Sequence, residues 1–172
     1  RVQLYRKYLE QDQFGSYEDY LRNFRIEAPA HFNFAYDVVD RLAAETPEAM
    51  ALRWCNPQGE QEDFTFARIS SLSMQAANLF SSLGIKKGDT VMLVLKRHHQ
   101  FWPAIIGLHR IGAIAVPATH LLTEKDIVYR VQAADIKMIL ATAESDFTSC
   151  ADDARPKCPT LKHTFIVRGT RE

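Results

Sequence analysis

The chain has 172 residues, 47% of them apolar and 24% charged, which fits one ordinary domain or one lobe of a larger one and excludes a disordered or collagen-like polymer. Its 21 basic and 21 acidic side chains cancel, which argues against a dedicated nucleic-acid binder. No apolar run reaches the roughly 18 residues that would cross a membrane. Cys55, Cys150 and Cys158 are an odd count with no CxxC pair, and they read as the reduced thiols of a cytoplasmic protein. His98 and His99 are adjacent, so on a helix they diverge by about 100° and make no shared metal face. The N-terminus is charged throughout and carries Glu10, Asp12, Glu18 and Asp19, unlike an apolar signal core or an acid-poor transit peptide.

Residues 1–12 are predicted as a short helix. Residues 16–24 are predicted as another, with Ser16 as N-cap and Tyr17, Tyr20, Leu21 and Phe24 at helical spacing. Together residues 1–30 read as a helical arm ahead of an α/β body at residues 31–172. Phe34, Val38 and Leu42 predict a third helix that stops before Pro47. Residues 49–55 and 63–66 read as a hairpin around the turn Asn56-Pro57-Gln58-Gly59. A long helix follows, with Ile69, Leu72, Ala76, Leu79, Phe80 and Leu83 along one face and Gly84 beyond its end.

Beyond Gly84 the pattern changes. Lys86-Lys87-Gly88-Asp89 is a polar turn, and residues 90–95 are an apolar run suited to a strand covered on both faces. A helix is expected from about His98 to Ile111, ending at Gly112, then a strand over residues 113–117. Thr123 and Asp126 form a capping pair for a helix carrying Ile127, Val128 and Val131. Residues 137–142 predict a third buried strand and residues 164–167 a fourth. Strand, helix, strand, helix, strand in this order predicts an α/β fold with a parallel sheet and flanking helices.

The sequence has no GxGxxG, GxxxxGK[ST], GxSxG or HExxH motif and no zinc-type cysteine spacing. Gly84-Ile85-Lys86-Lys87-Gly88-Asp89 precedes a strand and reads as a helix cap plus a turn. Asp152-Asp153 and the acids of residues 60–63 read as solvated loops, and Trp54 and Trp102 as core. Lys96-Arg97-His98-His99 is a basic cluster at a strand-to-helix junction, placed to meet an anion or to solvate a helix start. No catalytic or metal-ligating set emerges.

One resemblance is specific. Residues 64–141 run Phe64-Thr65-Phe66-Ala67-Arg68-Ile69, a helix, and Leu83-Gly84-Ile85-Lys86-Lys87-Gly88-Asp89-Thr90-Val91. Then come Gly107-Leu108-His109-Arg110-Ile111-Gly112-Ala113-Ile114-Ala115-Val116-Pro117 and residues 122–131. In order and spacing this resembles the N-terminal region of the adenylate-forming superfamily: acyl-CoA synthetases, luciferases and peptide-synthetase adenylation domains. The arm resembles the leader of acetyl- and medium-chain acyl-CoA synthetases.

The resemblance implies an AMP-forming acid–CoA ligase using ATP, Mg and CoA, with a small carboxylic acid as substrate. The carboxylate would attack the α-phosphate to give acyl-AMP and pyrophosphate, and the CoA thiol would then displace AMP. It also implies that the phosphate loop, ribose-binding Asp and late catalytic Lys lie in later sequence, so these 172 residues are an N-terminal piece without catalytic residues of its own. One residue here is implied in binding: Arg130, on the helix after the Val-Pro strand, at a position near the CoA nucleotide phosphates. The alternative for Arg130 is a surface arginine capping its helix. Self-association through an uncovered apolar face is a further expectation. The competing readings are a non-catalytic α/β interaction module and an adenylation domain of a carrier-protein system.

Overall fold

The computed structural model describes residues 4–143 and 146–167. The chain falls into two units, Arg1–Asn33 and Phe34–Glu172.

In the first unit the helix expected over residues 1–12 is only a 3-10 turn, Leu4–Tyr8, and residues 1–3 lie outside the described residues. The helix stops because the backbone beyond it is used elsewhere: Leu9 bridges Ile26, and Glu27 N donates to Tyr8 O at 2.8 Å. Helix α1, Tyr17–Asn23, begins where Ser16 accepts from Asp19 N, while the Asp19 carboxylate accepts from Gly15 N at 2.8 Å. Phe14, Tyr20 and Phe24 cluster, with Phe14 edge-on to Tyr20 at 5.3 Å and Tyr20 stacked on Phe24 at 4.9 Å. Tyr17 and Leu21, expected on the same face, are exposed.

The second unit opens with a π-helical turn, Ala35–Asp40, that runs into α2, Arg41–Glu45. The wider turn rotates the inward face by one residue, so Ala35 and Val39 are buried while Phe34 is 43% exposed. Strands β1, Met50–Cys55, and β2, Gln61–Thr65, form the expected antiparallel hairpin. Trp54 and Phe64 turn inward from it to join Ala35, Val39, Ile69 and Ile106. Helix α3, Phe66–Ser82, is capped by Thr65 and buries Ile69, Ser70, Ser73, Ala77 and Phe80. Leu79, expected on its buried face, is exposed. Two serines take the inner positions because this face meets a buried arginine and a close glycine, both described below.

The sheet then forms: β3, Thr90–Val94; α4, Phe101–Arg110; β4, Ile114–Pro117; α5, Glu124–Ala133; β5, Ile136–Thr142; α6, Phe147–Ala154; and β6, His163–Val167. Its strand order is β4-β3-β5-β6, all parallel. Every residue of β3 is buried, and alternate side chains serve opposite layers. Val91, Leu93 and Leu95 pack with Phe80, Ala104 and Leu108 under α3 and α4. Met92 and Val94 pack with Ile127, Val131 and Phe147 under α5 and α6.

Helix α6 was not expected. Its inward residues Phe147, Ala151 and Ala154 are mostly small, and its acidic pair Asp152-Asp153, exposed on a helix and not in a loop, masks the period. Helix α4 begins at Phe101, three residues later than expected. Trp102 is 47% exposed, so it is not the core residue its pattern suggested.

The two glycine turns of the sequence meet in space. Gly88 and Gly112 both adopt left-handed backbones, at φ +84° and +69°. Gly88 N donates to Gly112 O at 2.9 Å, and Ile114 N donates to Asp89 O at 2.8 Å. The Asp89 carboxylate accepts from Lys86 N and pairs with Lys137 at 2.5 Å, and the Lys137 bond above all holds its carboxyl below the usual range.

Candidate functional site

In a parallel sheet, ligands gather at the carboxyl ends of strands, where the connections diverge to either side. Here the chain leaves β3 for β4 on one flank and returns from β4 to β5 on the other, so β3 and β5 flank that point. Two features stand there. Thr142 ends β5, is 2% exposed, and its hydroxyl has no hydrogen-bond partner among the described residues. The basic segment Lys96-Arg97-His98-His99 follows β3.

That segment is built and not merely solvated. Lys96 adopts a left-handed backbone at φ +44°, an uncommon state for a residue with a side chain. Trp54 Nε1, from β1, donates to Arg97 O at 2.8 Å and pins the segment to the hairpin. His98 is buried, and its N donates to Leu95 O. The His99 ring lies 4.9 Å from the Phe64 ring and 5.9 Å from the Trp54 ring, and burial lowers its pKa, which favours neutral imidazole. Between β1 and this segment opens a cavity of about 370 Å³, walled by Trp54 and Trp102 and bordered by Arg53, Lys96 and Arg97. Asp63 holds Arg53 through two bonds of 2.6 and 2.7 Å, and no carboxylate is among the lining residues.

Arg130 lies elsewhere. It sits in the last turn of α5, whose capping box of Thr123 and Asp126 forms as expected. Seven residues from that cap, it is about 10 Å along the helix from the carboxyl edge of the sheet. The structure therefore does not join it to the basic segment. Among the described residues its guanidinium makes no hydrogen bond or ion pair, and its charge acts on Asp126, four positions earlier. The Asp126 carboxyl is lowered first by its bonds from Thr123 and, after them, by the charge of Arg130.

A second buried charge site escaped the sequence. Arg110, at the end of α4, donates through Nη1 to Asp40 Oδ2 at 2.7 Å, through Nη2 to Asp40 Oδ1, and through Nε to Ser73 Oγ at 2.9 Å. Ser70 Oγ donates to Asp40 Oδ1 at 2.6 Å. The Arg110 bond keeps the Asp40 carboxyl below the usual range. The faint signal was an arginine inside an apolar helix opposite two serines spaced three apart. All three guanidinium nitrogens bond within the fold, so the network locks the π-helical turn to α3 and α4.

Among the described residues no three His, Cys, Asp or Glu side chains group to hold a metal ion. The acidic pair Asp152-Asp153 stands exposed on α6, while Glu62 and Asp63 are each paired with an arginine. No described helix is long and apolar enough to cross a membrane.

Residues 39–171 match the AMP-binding enzyme family. Human "Acyl-coenzyme A synthetase ACSM3, mitochondrial" is 35% identical over 161 residues, covering 90% of this chain and 27% of the relative. Rat "Acyl-coenzyme A synthetase ACSM4, mitochondrial" is 36% identical over 145 residues, covering 81% of this chain and 25% of the relative. The chain thus spans about a quarter of the length of the curated relatives it matches. Among solved structures, a Mycobacterium tuberculosis fatty acyl CoA synthetase superposes with a TM-score of 0.70 at 20% identity, over 78% of this chain and 26% of that one. The anthranilate CoA ligase AuaEII superposes at 0.69 with 23% identity, over 81% and 26%. At these identities the structural likeness speaks for the fold.

Proposed function

The chain belongs to the AMP-binding enzyme family, and from that membership we propose that it serves as the N-terminal α/β part of an ATP-dependent, AMP-forming acid–CoA ligase. Its fold is that of the N-terminal region of adenylate-forming acyl-CoA ligases. The observation that carries the activity is the family match over residues 39–171, joined to relatives named acyl-coenzyme A synthetases. In the overall reaction a carboxylate oxygen bonds to the α-phosphorus of ATP and pyrophosphate leaves. The CoA sulfur then bonds to the acyl carbon, and AMP leaves with the C–O bond pair. Mg supplies charge neutralisation on the phosphates when bound.

The role of these residues is scaffolding plus one contact. Arg130, half-buried on α5 and without a hydrogen bond or ion pair among the described residues, presents its guanidinium to a nucleotide phosphate of CoA. The first 30 residues act as a helical arm ahead of the α/β body. ATP, Mg and the carboxylic acid, a fatty acid among the candidates, are bound by sequence outside this chain. The free cysteines and the need for ATP and CoA suit a reducing compartment such as the cytoplasm. The two mammalian relatives are named mitochondrial, and the matrix meets the same needs. Fractionation with a C-terminal tag separates the two.

The test is made on the complete gene product: carboxylate-dependent ATP–pyrophosphate exchange, followed by CoA-dependent release of AMP. Both half-reactions are expected. Exchange without CoA-dependent release would move the assignment to an adenylation domain of a carrier-protein system. Absence of both, in a folded protein, would leave a non-catalytic α/β module.

A further inference from the structure

We propose that the apolar side of the first unit, carried by Tyr17 and Leu21 of α1, is a docking surface for the sequence that follows Glu172 in the complete gene product. The choice of occupant rests on the reading of this chain as one part of a longer ligase. The need for an occupant rests on the first unit alone.

None of the described residues of this unit, 4–33, is buried. A segment that buries no apolar side chain gains too little from the hydrophobic effect to offset the entropy of ordering its backbone. Its internal ties are slight: the bridge between Leu9 and Ile26, the bond from Glu27 N to Tyr8 O, and the ring contacts of Phe14, Tyr20 and Phe24. Those rings use one side of α1. Tyr17 and Leu21, one turn apart, are 68% and 59% exposed, and Tyr5 and Ile26 are exposed as well. Apolar side chains at that spacing form a stripe, and a bare stripe on a unit without a core calls for a surface to lie against. That surface is apolar and not strongly charged. Glu10, Asp12, Glu18, Asp19 and Glu27 stand against Arg6, Lys7, Arg22 and Arg25, so the unit is nearly neutral and suits neither an anionic membrane nor a highly charged protein. The comparisons point to an occupant in the same polypeptide. Residues 1–38 lie ahead of the AMP-binding match, yet the human relative's match covers 90% of the 172 residues, so about 17 fall outside it. About half of the first unit or more is therefore shared with a protein of which the match spans 27%. The unit accompanies the longer architecture, and most of that architecture lies beyond the length of this chain. A tethered partner is held at high effective concentration, so a small apolar contact is enough to seat it.

The experiment follows hydrogen exchange of the α1 amides in the complete gene product and in the 172-residue chain, without substrates. Exchange about tenfold slower or more is expected in the complete product, the effect of burying one large apolar side chain. Tyr17→Gln with Leu21→Gln should remove that difference. Glutamine keeps helix propensity, and both side chains are exposed in the 172-residue chain, so exchange and Tm there should not change. Equal exchange in the two forms, or a difference that survives the double variant, would overturn the proposal. So would protection that disappears when a dimer is diluted to monomer, which would assign the surface to a second copy, and so would a gene product that ends at Glu172. Exchange needs no turnover, which keeps the two readings apart. An unprotected α1 in an active ligase sinks this inference and spares the ligase assignment, and a protected α1 in an inactive protein does the reverse.

Discussion

Arg110 and Asp40, 70 positions apart in sequence, form a two-pronged ion pair in which the Arg110 side chain is 4% exposed and the Asp40 side chain 32%. The guanidinium also bonds Ser73, lies 5.3 Å from the centre of the Tyr36 ring, and belongs to a residue whose carbonyl accepts from Tyr36 OH. One arginine thus joins the π-helical turn, α3 and α4.

Removing one partner of such a pair strands the other charge. Asp40→Asn should destabilise the protein by about 3 kcal/mol in chemical denaturation at pH 7, whereas a paired Asp40→Leu, Arg110→Met replacement should cost less than Asp40→Asn alone. Because Arg110 depresses the Asp40 pKa in the fold, this stabilisation is present above the unfolded value near 3.9 and fades as pH falls through the lower folded value. An Asp40→Asn variant as stable as the parent would contradict the assignment.

Gly107 should resist the exchange that helps most helices. A Cβ there would lie 2.8 Å from Ala76 Cβ and 3.0 Å from Ala77 N and Ser73 O, where α4 crosses α3. Alanine normally improves a helix interior by up to about 1 kcal/mol. Here Gly107→Ala should lower stability by about 1–3 kcal/mol, the usual cost of overpacking. Thermal unfolding decides the sign.

Mild acid should weaken the fold through two half-buried histidines. His99 and His109 are both held below their ordinary pKa by desolvation. Between the lowered folded values and the unfolded value near 6.5, the unfolded chain binds more protons, so stability rises with pH. Tm should therefore drop from pH 7.5 to pH 5.5, and His99→Gln with His109→Gln should flatten the slope. A profile unchanged by both substitutions would remove these histidines as the cause.

Arg130→Ala in the complete gene product should raise the CoA KM about tenfold, the value of one charged hydrogen bond, and leave acyl-AMP formation unchanged. Arg130→Lys should recover part of the loss. Equal effects on both half-reactions would sink the CoA-phosphate role.

The sheet also invites pairing between chains. Strand β6 has no neighbour on its outer edge among the described residues, and Phe165 stands partly exposed on it. Light scattering of the 172-residue protein should show mass rising with concentration, and Phe165→Lys should suppress the rise. A monomer over a wide concentration range would argue against this.

The order of strands and helices was legible because strong period-2 and period-3.6 signals coincide with cap residues: Ser16 and Thr123 both cap as their spacing predicts. What stayed hidden depended on partners distant in sequence. Nothing near Ser70 and Ser73 announces that Arg110 will draw them inward, and nothing near Phe34 announces the π-helical turn that rotates the face to Ala35. Helix α6 was lost for a local reason, since small inward residues carry little periodic contrast. For the site, the basic run after β3 was visible as charge. Its cavity was not, because Trp54 arrives from a hairpin 43 positions away.

The turn at Gly88 and the turn at Gly112, hydrogen-bonded to one another, are also the stretches by which the chain is most readily recognised. They are a single joint seen twice in the sequence, and neither half is among the residues that line the cavity. A signature made from a hinge-pin travels with the architecture through any change of chemistry. It tells a genome reader which building stands there and says nothing of the trade carried on inside, for which the rooms themselves, the segment after β3 and the outer face of α5, have to be read.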